Sequence, residues 1–183
     1  MKNPFLIGAT IYLRPLERVD APVAQVWFND PAIRRLIARF QPMNQQSEEA
    51  LIDQVNKDEH ALALAIVHKE LDQPIGITGL MNIDFRNRHA LFGITIGNKD
   101  FWGQGIGTET TALVAQHAFE TINLNRLGLH VYEFNERAIR AYERVGYRRE
   151  GVLRQSFFSE GRYWDTVVMG LLREEWTGGG IRP

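Results

Sequence analysis

Apolar residues in the first third of the chain change from alternating to helical spacing. The alternation over residues 11–16 predicts a short strand. Three helical segments follow it: one with Asp20 as its N-cap, one restarted by Pro31, and one capped by Ser47 with acidic residues in its first turn. This third of the chain is therefore predicted to be mostly helical.

The middle of the chain contains three apolar, β-branched runs, at residues 61–68, 75–85 and 89–96. Short segments with turn-forming residues separate them, such as Asp72-Gln73-Pro74 between the first two. Successive strands joined by short turns predict an antiparallel meander.

The second half alternates between the two spacings. A helical period over residues 105–121 precedes a strand-like run at 126–132, and a second helix opens at Asn135 and ends at Gly146. Two further strands, 148–158 and 162–172, flank a Ser-Glu-Gly turn. The order strand, helix, strand, helix, strand predicts at least one parallel strand pair.

The overall composition is that of an ordinary globular domain: 183 residues, 44% hydrophobic and 23% charged. We expect one domain over residues 1–176 and a flexible glycine-rich tail over 177–183. The formal net charge of −1 offers no basic field for nucleic acid or an acidic membrane. The chain has no cysteine, which excludes disulfides and thiolate metal sites, and it has no apolar run long enough to cross a bilayer. We expect a cytoplasmic protein that binds no metal.

Three glycines, Gly103, Gly105 and Gly107, recur between a predicted strand and a predicted helix. Because glycine has no side chain, the backbone N–H groups of such a loop are accessible, and together with the positive end of a helix they can bind a phosphate. A purely structural loop is equally compatible with this spacing. The segment is not a P-loop, because no lysine precedes Thr108. It is not a dinucleotide fingerprint either, since the third glycine of that motif is missing.

Two segments carry a resemblance to a known family. The loop at residues 102–108 resembles the pyrophosphate loop of the GNAT family of N-acetyltransferases, with Trp102 at a position where many members have Gln or Arg. Residues 135–147 are similar to the family's Asn-x-x-Ala-x-x-x-Tyr-x-x-x-Gly-Phe/Tyr segment. Residues 13–16 and 161–165 also look like the branch that contains ribosomal-protein and polyamine acetyltransferases.

The resemblance implies an α/β (α+β) fold, with a mixed, mostly antiparallel central sheet, helices on both faces and two splayed parallel strands. It implies acetyl transfer from acetyl-CoA to an amine by direct attack. The pantetheine arm would pair with the strand containing Ile94, Thr95 and Ile96, and the pyrophosphate would bind at the glycine loop. The residues implied for cofactor binding are Ile94, Thr95, Ile96, Trp102, Gly103, Gln104, Gly105, Ile106, Gly107, Thr108, Asn135, Ala138 and Tyr142.

The catalytic assignments also come from the resemblance. Tyr142 matches the family's proton donor to the CoA sulfur, although helical spacing alone favours a core aromatic. Many relatives carry a basic Glu where this chain has Leu91. Asp84 acting through water, or His130 with its near-neutral intrinsic pKa, could remove the amine's proton. A solvated or turn-capping Asp84 and a core His130 are the alternatives, and Asn135 could be simply an N-cap.

The acceptor stays open at this point: a small-molecule amine such as a polyamine, or a protein N-terminus. Five acidic residues could attract a cationic acceptor, namely Asp30, Glu48, Glu49, Glu160 and Asp165. A homodimer is expected from the branch. The competing hypothesis from a different functional class is a non-catalytic acyl-CoA sensor, which the missing base at Leu91 would suit.

Overall fold

The computed structural model describes residues 1–178. Its eight strands are β1 (Leu6–Ile7), β2 (Ile11–Pro15), β3 (Leu62–His68), β4 (Gln73–Asp84), β5 (His89–Ile96), β6 (Arg126–Tyr132), β7 (Arg148–Ser159) and β8 (Arg162–Leu172). Its five α-helices are α1 (Ala21–Asn29), α2 (Pro31–Ile37), α3 (Gln45–Lys57), α4 (Ile106–Gln116) and α5 (Glu136–Val145). A π-helical turn continues α4 over His117–Thr121.

The strands form one sheet in the order β1-β2-β3-β4-β5-β6-β8-β7. Every neighbouring pair is antiparallel except β5 and β6, which are parallel. The predicted meander, the predicted parallel pair and the predicted C-terminal hairpin are all confirmed. β8 lies between β6 and β7, so β7 forms an edge of the sheet.

Helices cover both faces of the sheet, and the strand β3 shows why. Leu64 and Ile66 belong to the main core together with residues of α4 and α5, whereas Ala65 and Val67 pack in a second cluster with Ala21 and Ile52 of α1 and α3. A strand buried on both faces reads as a continuous apolar run, which is how this segment appears in the sequence. Each buried Leu or Ile contributes roughly 1.5–3 kcal/mol.

Two predicted caps are wrong in detail. Asp20 occupies the N-cap position of α1, but its side chain does not cap that helix. It is buried and accepts two hydrogen bonds from Arg14, at 2.8 and 2.6 Å, because an ion pair satisfies a buried carboxylate better than a single amide. α3 begins two residues before Ser47, and Asn44 caps it by accepting a hydrogen bond from the Ser47 amide.

Of the predicted tail, Thr177 and Gly178 are described and residues 179–183 lie outside the described part of the chain.

Candidate active site

The two parallel strands separate part-way along their length. β5 and β6 pair over three residues only, from His89 opposite Arg126 to Leu91 opposite Gly128. Beyond Leu91, β5 keeps its pairing with β4, from Phe92–Leu80 to Ile96–Gly76. The edge of β5 that faces β6 is therefore unpaired over Phe92–Ile96. An extended, amide-containing ligand can add to such an edge as an extra strand.

The glycine loop follows β5 after a 3₁₀ turn at Lys99–Phe101, and it leads into α4. Gly103 and Gly105 have φ angles of +79° and +82°, a left-handed backbone that strongly favours glycine. Gly105 is the N-cap of α4, and no side chain caps the first turn. Within 4 Å of an ideal Cβ at Gly103, Gly105 or Gly107 there is nothing. Free amides, a helix N-terminus and open space together fit a phosphate group.

Trp102 holds this loop against the end of β5. Its indole Nε1 donates a hydrogen bond of 2.8 Å to the carbonyl oxygen of Ile96. The guanidinium of Arg137 on α5 lies over the indole ring, 4.1 Å from its centroid. The tryptophan that departs from the common family pattern thus connects β5, the loop and α5.

A cavity of about 670 Å³ joins the strand opening to the glycine loop. Twelve of the thirteen residues predicted to bind the cofactor line it: Ile94, Thr95, Ile96, Trp102, Gly103, Gly105, Ile106, Gly107, Thr108, Asn135, Ala138 and Tyr142. Gln104 is not among the lining residues. Its side-chain amide instead donates a hydrogen bond to the carbonyl oxygen of Asp100, at 2.7 Å, because the left-handed glycines on both sides turn it outward.

Tyr142 lies on the buried face of α5 with Ile139 and Val145. Its ring makes an edge contact with Phe92 and a tilted contact with Tyr147, at centroid distances of 6.2 and 6.0 Å. Burial raises the pKa of Tyr142 to about 12. The side chain is thus both a core aromatic and a cavity-lining phenol that keeps its proton throughout the neutral pH range.

Asn135 combines two roles in the same way. Its side-chain oxygen accepts a hydrogen bond from the amide of Ala138 at 3.3 Å, so it is the N-cap of α5. Asn135 also lines the cavity.

The two predicted bases differ in position. Asp84 does not line the cavity: it is at the end of β4, and its carboxylate accepts hydrogen bonds from the backbone amide and side-chain amide of Asn87, both at 2.7 Å. The backbone hydrogen bond from Asn87 is the main reason that the pKa of Asp84 is lowered. The structure therefore matches the turn-capping interpretation of Asp84. His130 does line the cavity, from β6, as does Leu91 from β5.

Two charged residues, Arg137 and Glu48, line the cavity although their sequence context did not indicate this position. Arg137 lines it beside Trp102, and its only sequence signal is its place two residues after Asn135. Glu48 on α3 also lines it and is only 1% exposed. In the sequence Glu48 is one of five acidic residues that could attract a cation, because polar periodicity cannot show that α3 turns this carboxylate inward.

The family model described as "Acetyltransferase (GNAT) domain" matches residues 10–148. The chain belongs to the GNAT family. It is 29% identical to the uncharacterized N-acetyltransferase p20 of Bacillus licheniformis, over 91% of this chain and 94% of that protein. It is 28% identical to spermidine N(1)-acetyltransferase of Escherichia coli K12, over 91% and 88%. The structure of spermidine N-acetyltransferase from Vibrio cholerae in complex with CoA and spermine superposes with a TM-score of 0.84, at 26% identity, over 91% of this chain and 97% of that one.

These relationships confirm the predicted fold, the enzyme class and the co-substrate. The protein is an N-acetyltransferase that transfers an acetyl group from acetyl-CoA to an amine. The hypothesis of a non-catalytic acyl-CoA sensor is thereby set aside. Within residues 1–178, no helix is long and apolar enough to span a membrane.

Proposed function

We propose that the enzyme acetylates a primary amine of a polyamine. The observation that carries this proposal is the continuity of the cavity, which runs from the glycine loop past Tyr142 to the helices α1–α3. Side chains of those helices and of β4 give this part of the cavity a mainly apolar wall, formed by Phe28, Leu36, Leu51, Val55 and Met81. Apolar walls suit the methylene segments of an alkyl polyamine better than the hydroxyls of an amino sugar.

The relatives support the same acceptor class. Two of the proteins compared above are spermidine acetyltransferases, and each aligns with nearly the whole chain. Their acceptors are long, flexible cations. A cavity with one acidic residue among its described lining residues, Glu48, is compatible with such a molecule.

In the proposed reaction, the glycine loop and the N-terminus of α4 bind the pyrophosphate of acetyl-CoA, and the free edge of β5 at Ile94, Thr95 and Ile96 binds its pantetheine arm. This places the thioester in the opening between β5 and β6. Holding the two reactants in contact supplies much of the rate enhancement. The unprotonated amine attacks the carbonyl carbon, a C–N bond forms, and the C–S bond breaks to release the CoA sulfur.

Tyr142 then donates a hydrogen bond to the departing sulfur. A thiol has a pKa of about 8.5, well below that of the buried phenol, so Tyr142 stabilises the developing thiolate mainly by this hydrogen bond. The amine's proton leaves through water, since Leu91 offers no base and Asp84 lies outside the cavity. His130 is the cavity-lining residue suited to pass that proton on.

A panel of acceptors tests the proposal. The purified chain is supplied with acetyl-CoA and, in separate reactions, with spermidine, an amino sugar or short peptides with free N-termini, and the release of free CoA thiol is followed. We expect the highest kcat/KM for spermidine. If a peptide N-terminus is the better acceptor, the polyamine proposal is wrong, whereas the acetyltransferase activity stands.

The predicted homodimer and the cytoplasmic location stay predictions. In favour of self-association, the edge strand β7 exposes Val152, Leu153 and Phe158. Light scattering of the purified protein measures its mass directly.

A further inference from the structure

Glu48 is an acidic residue in an unusual environment. It belongs to the first turn of α3, its side chain is 1% exposed, and its Oε2 has no hydrogen-bond partner among the described residues. Leaving a buried polar atom without a partner costs about 1–3 kcal/mol. A residue that costs stability and lines the active-site cavity is a candidate for ligand binding.

The other four acidic candidates are all engaged elsewhere. Asp30 pairs with Lys99 at 2.5 Å, and Glu160 pairs with Arg35 at 3.1 Å. Glu49 accepts a hydrogen bond from Gln45, and Asp165 accepts one from the amide of Gln155. None of the four lines the cavity. Tertiary structure therefore selects Glu48 from the group.

The nearest compensating charge does not satisfy Glu48. Arg39 is the cation that acts on its carboxyl, yet the two side chains form no hydrogen bond. The guanidinium of Arg39 instead lies over the ring of Phe28, 5.0 Å from its centroid, and contacts the Met43 sulfur at 3.7 Å. Burial raises the pKa of Glu48. A cation brought into contact would lower that pKa again and keep the carboxylate charged.

Charge is distributed unequally around the cavity. Its basic lining residues, Arg137, Arg144 and His130, come from α5 and β6, whereas Glu48 comes from α3. Acetyl-CoA carries phosphates and suits these basic residues, of which Arg137 lies over Trp102 of the glycine loop. The cationic acceptor suits the side with Glu48.

We infer that Glu48 binds the ammonium group of a di- or polyamine that does not react. The attacking nitrogen must lose its proton before it forms a bond, so the nitrogen that stays on a carboxylate is the one that stays charged. The second ammonium of the acceptor then completes the contacts that Glu48 lacks. This inference rests on the proposed polyamine function and assigns acceptor selectivity to one residue.

The test compares two acceptors of equal length, an α,ω-diamine and the alkyl monoamine in which a methyl group replaces one ammonium, on the wild type, E48Q and E49Q. Gln has the shape of Glu without its charge, and Glu49 is the neighbouring carboxylate outside the cavity. We expect the wild type to prefer the diamine. In E48Q the ratio of kcat/KM for diamine over monoamine should fall about 10- to 100-fold, mainly through the diamine KM, because a hydrogen-bonded charge is lost. E49Q should keep the wild-type ratio.

A second comparison leaves the protein intact. The amino alcohol in which a hydroxyl replaces the distal ammonium should be a poorer acceptor than the diamine for the wild type, by a similar factor. An E48Q ratio equal to the wild-type ratio overturns the inference, and so does an equal loss on both acceptors, which would place Glu48 at the reacting nitrogen. If the wild type acetylates no di- or polyamine, the proposed function itself fails and the inference fails with it.

Discussion

Gly107 offers a test in which acetyl-CoA binding should weaken while the stability of the fold is kept or increased. Gly103 and Gly105 are unsuitable for this purpose, because any side chain there strains a left-handed backbone. Gly107 lies in the first turn of α4, and its φ angle is not in the left-handed region. Nothing lies within 4 Å of an ideal Cβ at this position. Gly107→Ala therefore adds one methyl group to the cradle proposed for the pyrophosphate and leaves the backbone unstrained.

The two effects can be estimated separately. Ala is favoured over Gly in a helix by up to about 1 kcal/mol, so the free energy of unfolding should stay the same or rise by up to that amount. The contribution of a helix N-terminus and its free amides to anion binding is about 1–2 kcal/mol. Losing that contribution through the methyl group weakens acetyl-CoA binding by about 5- to 30-fold.

Calorimetric titration with acetyl-CoA and chemical denaturation measure these two quantities. Gly151→Ala is the matched control, since Gly151 also has open space around its ideal Cβ but lies in β7, outside the cavity lining. It should leave the acetyl-CoA Kd unchanged. A folded Gly107→Ala protein with the wild-type Kd would refute the assignment of the pyrophosphate to this loop.

Four other variants and two pH profiles test the site. Tyr142→Phe keeps the ring packing and should slow the single-turnover rate at saturating acetyl-CoA by about 10- to 100-fold, because one hydrogen bond to the charged sulfur is lost; an unchanged rate would leave Tyr142 as a core aromatic only. Since the pKa of Tyr142 is about 12, the wild-type rate should show no decline from its ionisation between pH 7 and 10. E48Q should raise the free energy of unfolding at pH 7 by about 1 kcal/mol, or about 3 °C in Tm, because a buried unpaired charge is removed. Burial raises the pKa of Glu48 in the folded state, so the folded wild type binds the proton more tightly than the unfolded chain and gains stability as the pH falls. The Tm difference between E48Q and the wild type should therefore shrink as the pH is lowered through that pKa toward the ordinary value of 4.5. A Tm difference that does not change with pH would contradict this account. Asp84→Asn should change kcat less than twofold at pH 7 and pH 9. His130→Gln should retain turnover at pH 9, where more of the acceptor is unprotonated. If either variant loses all turnover while it still binds acetyl-CoA, the replaced residue is an essential base.

Local features of the fold could be predicted because the residues that decide them are neighbours in the chain. The left-handed glycines of the loop, the start of α4 after Gly105 and the helix from Asn135 to Gly146 all depend on backbone preferences within a few residues. The continuous apolar run of β3 likewise reflects burial on both faces. Resemblance to the family then added the cavity-lining set, of which Gln104 alone lies elsewhere.

The position of β8 between β6 and β7, by contrast, depends on contacts between segments far apart in the sequence. So does the pairing of β1, a two-residue strand too short to show a period. The three residues of parallel register between β5 and β6 likewise set where the active-site opening begins, and no local pattern marks Leu91 as their end.

The acidic residues show the same division most clearly. From the sequence alone, Asp84 was a candidate base and Glu48 was one of five acidic residues that could attract a cationic acceptor. In the structure Asp84 binds the amides of its own turn, whereas Glu48 is buried at the cavity without a hydrogen-bond partner for Oε2 among the described residues. The sequence by itself determined which residue types were present and where the helices and strands run. Only tertiary packing decided which charge faces solvent and which faces the substrate. The reason is that the neighbours of a helix fix which of its faces is buried, and this sets the direction of every side chain on it.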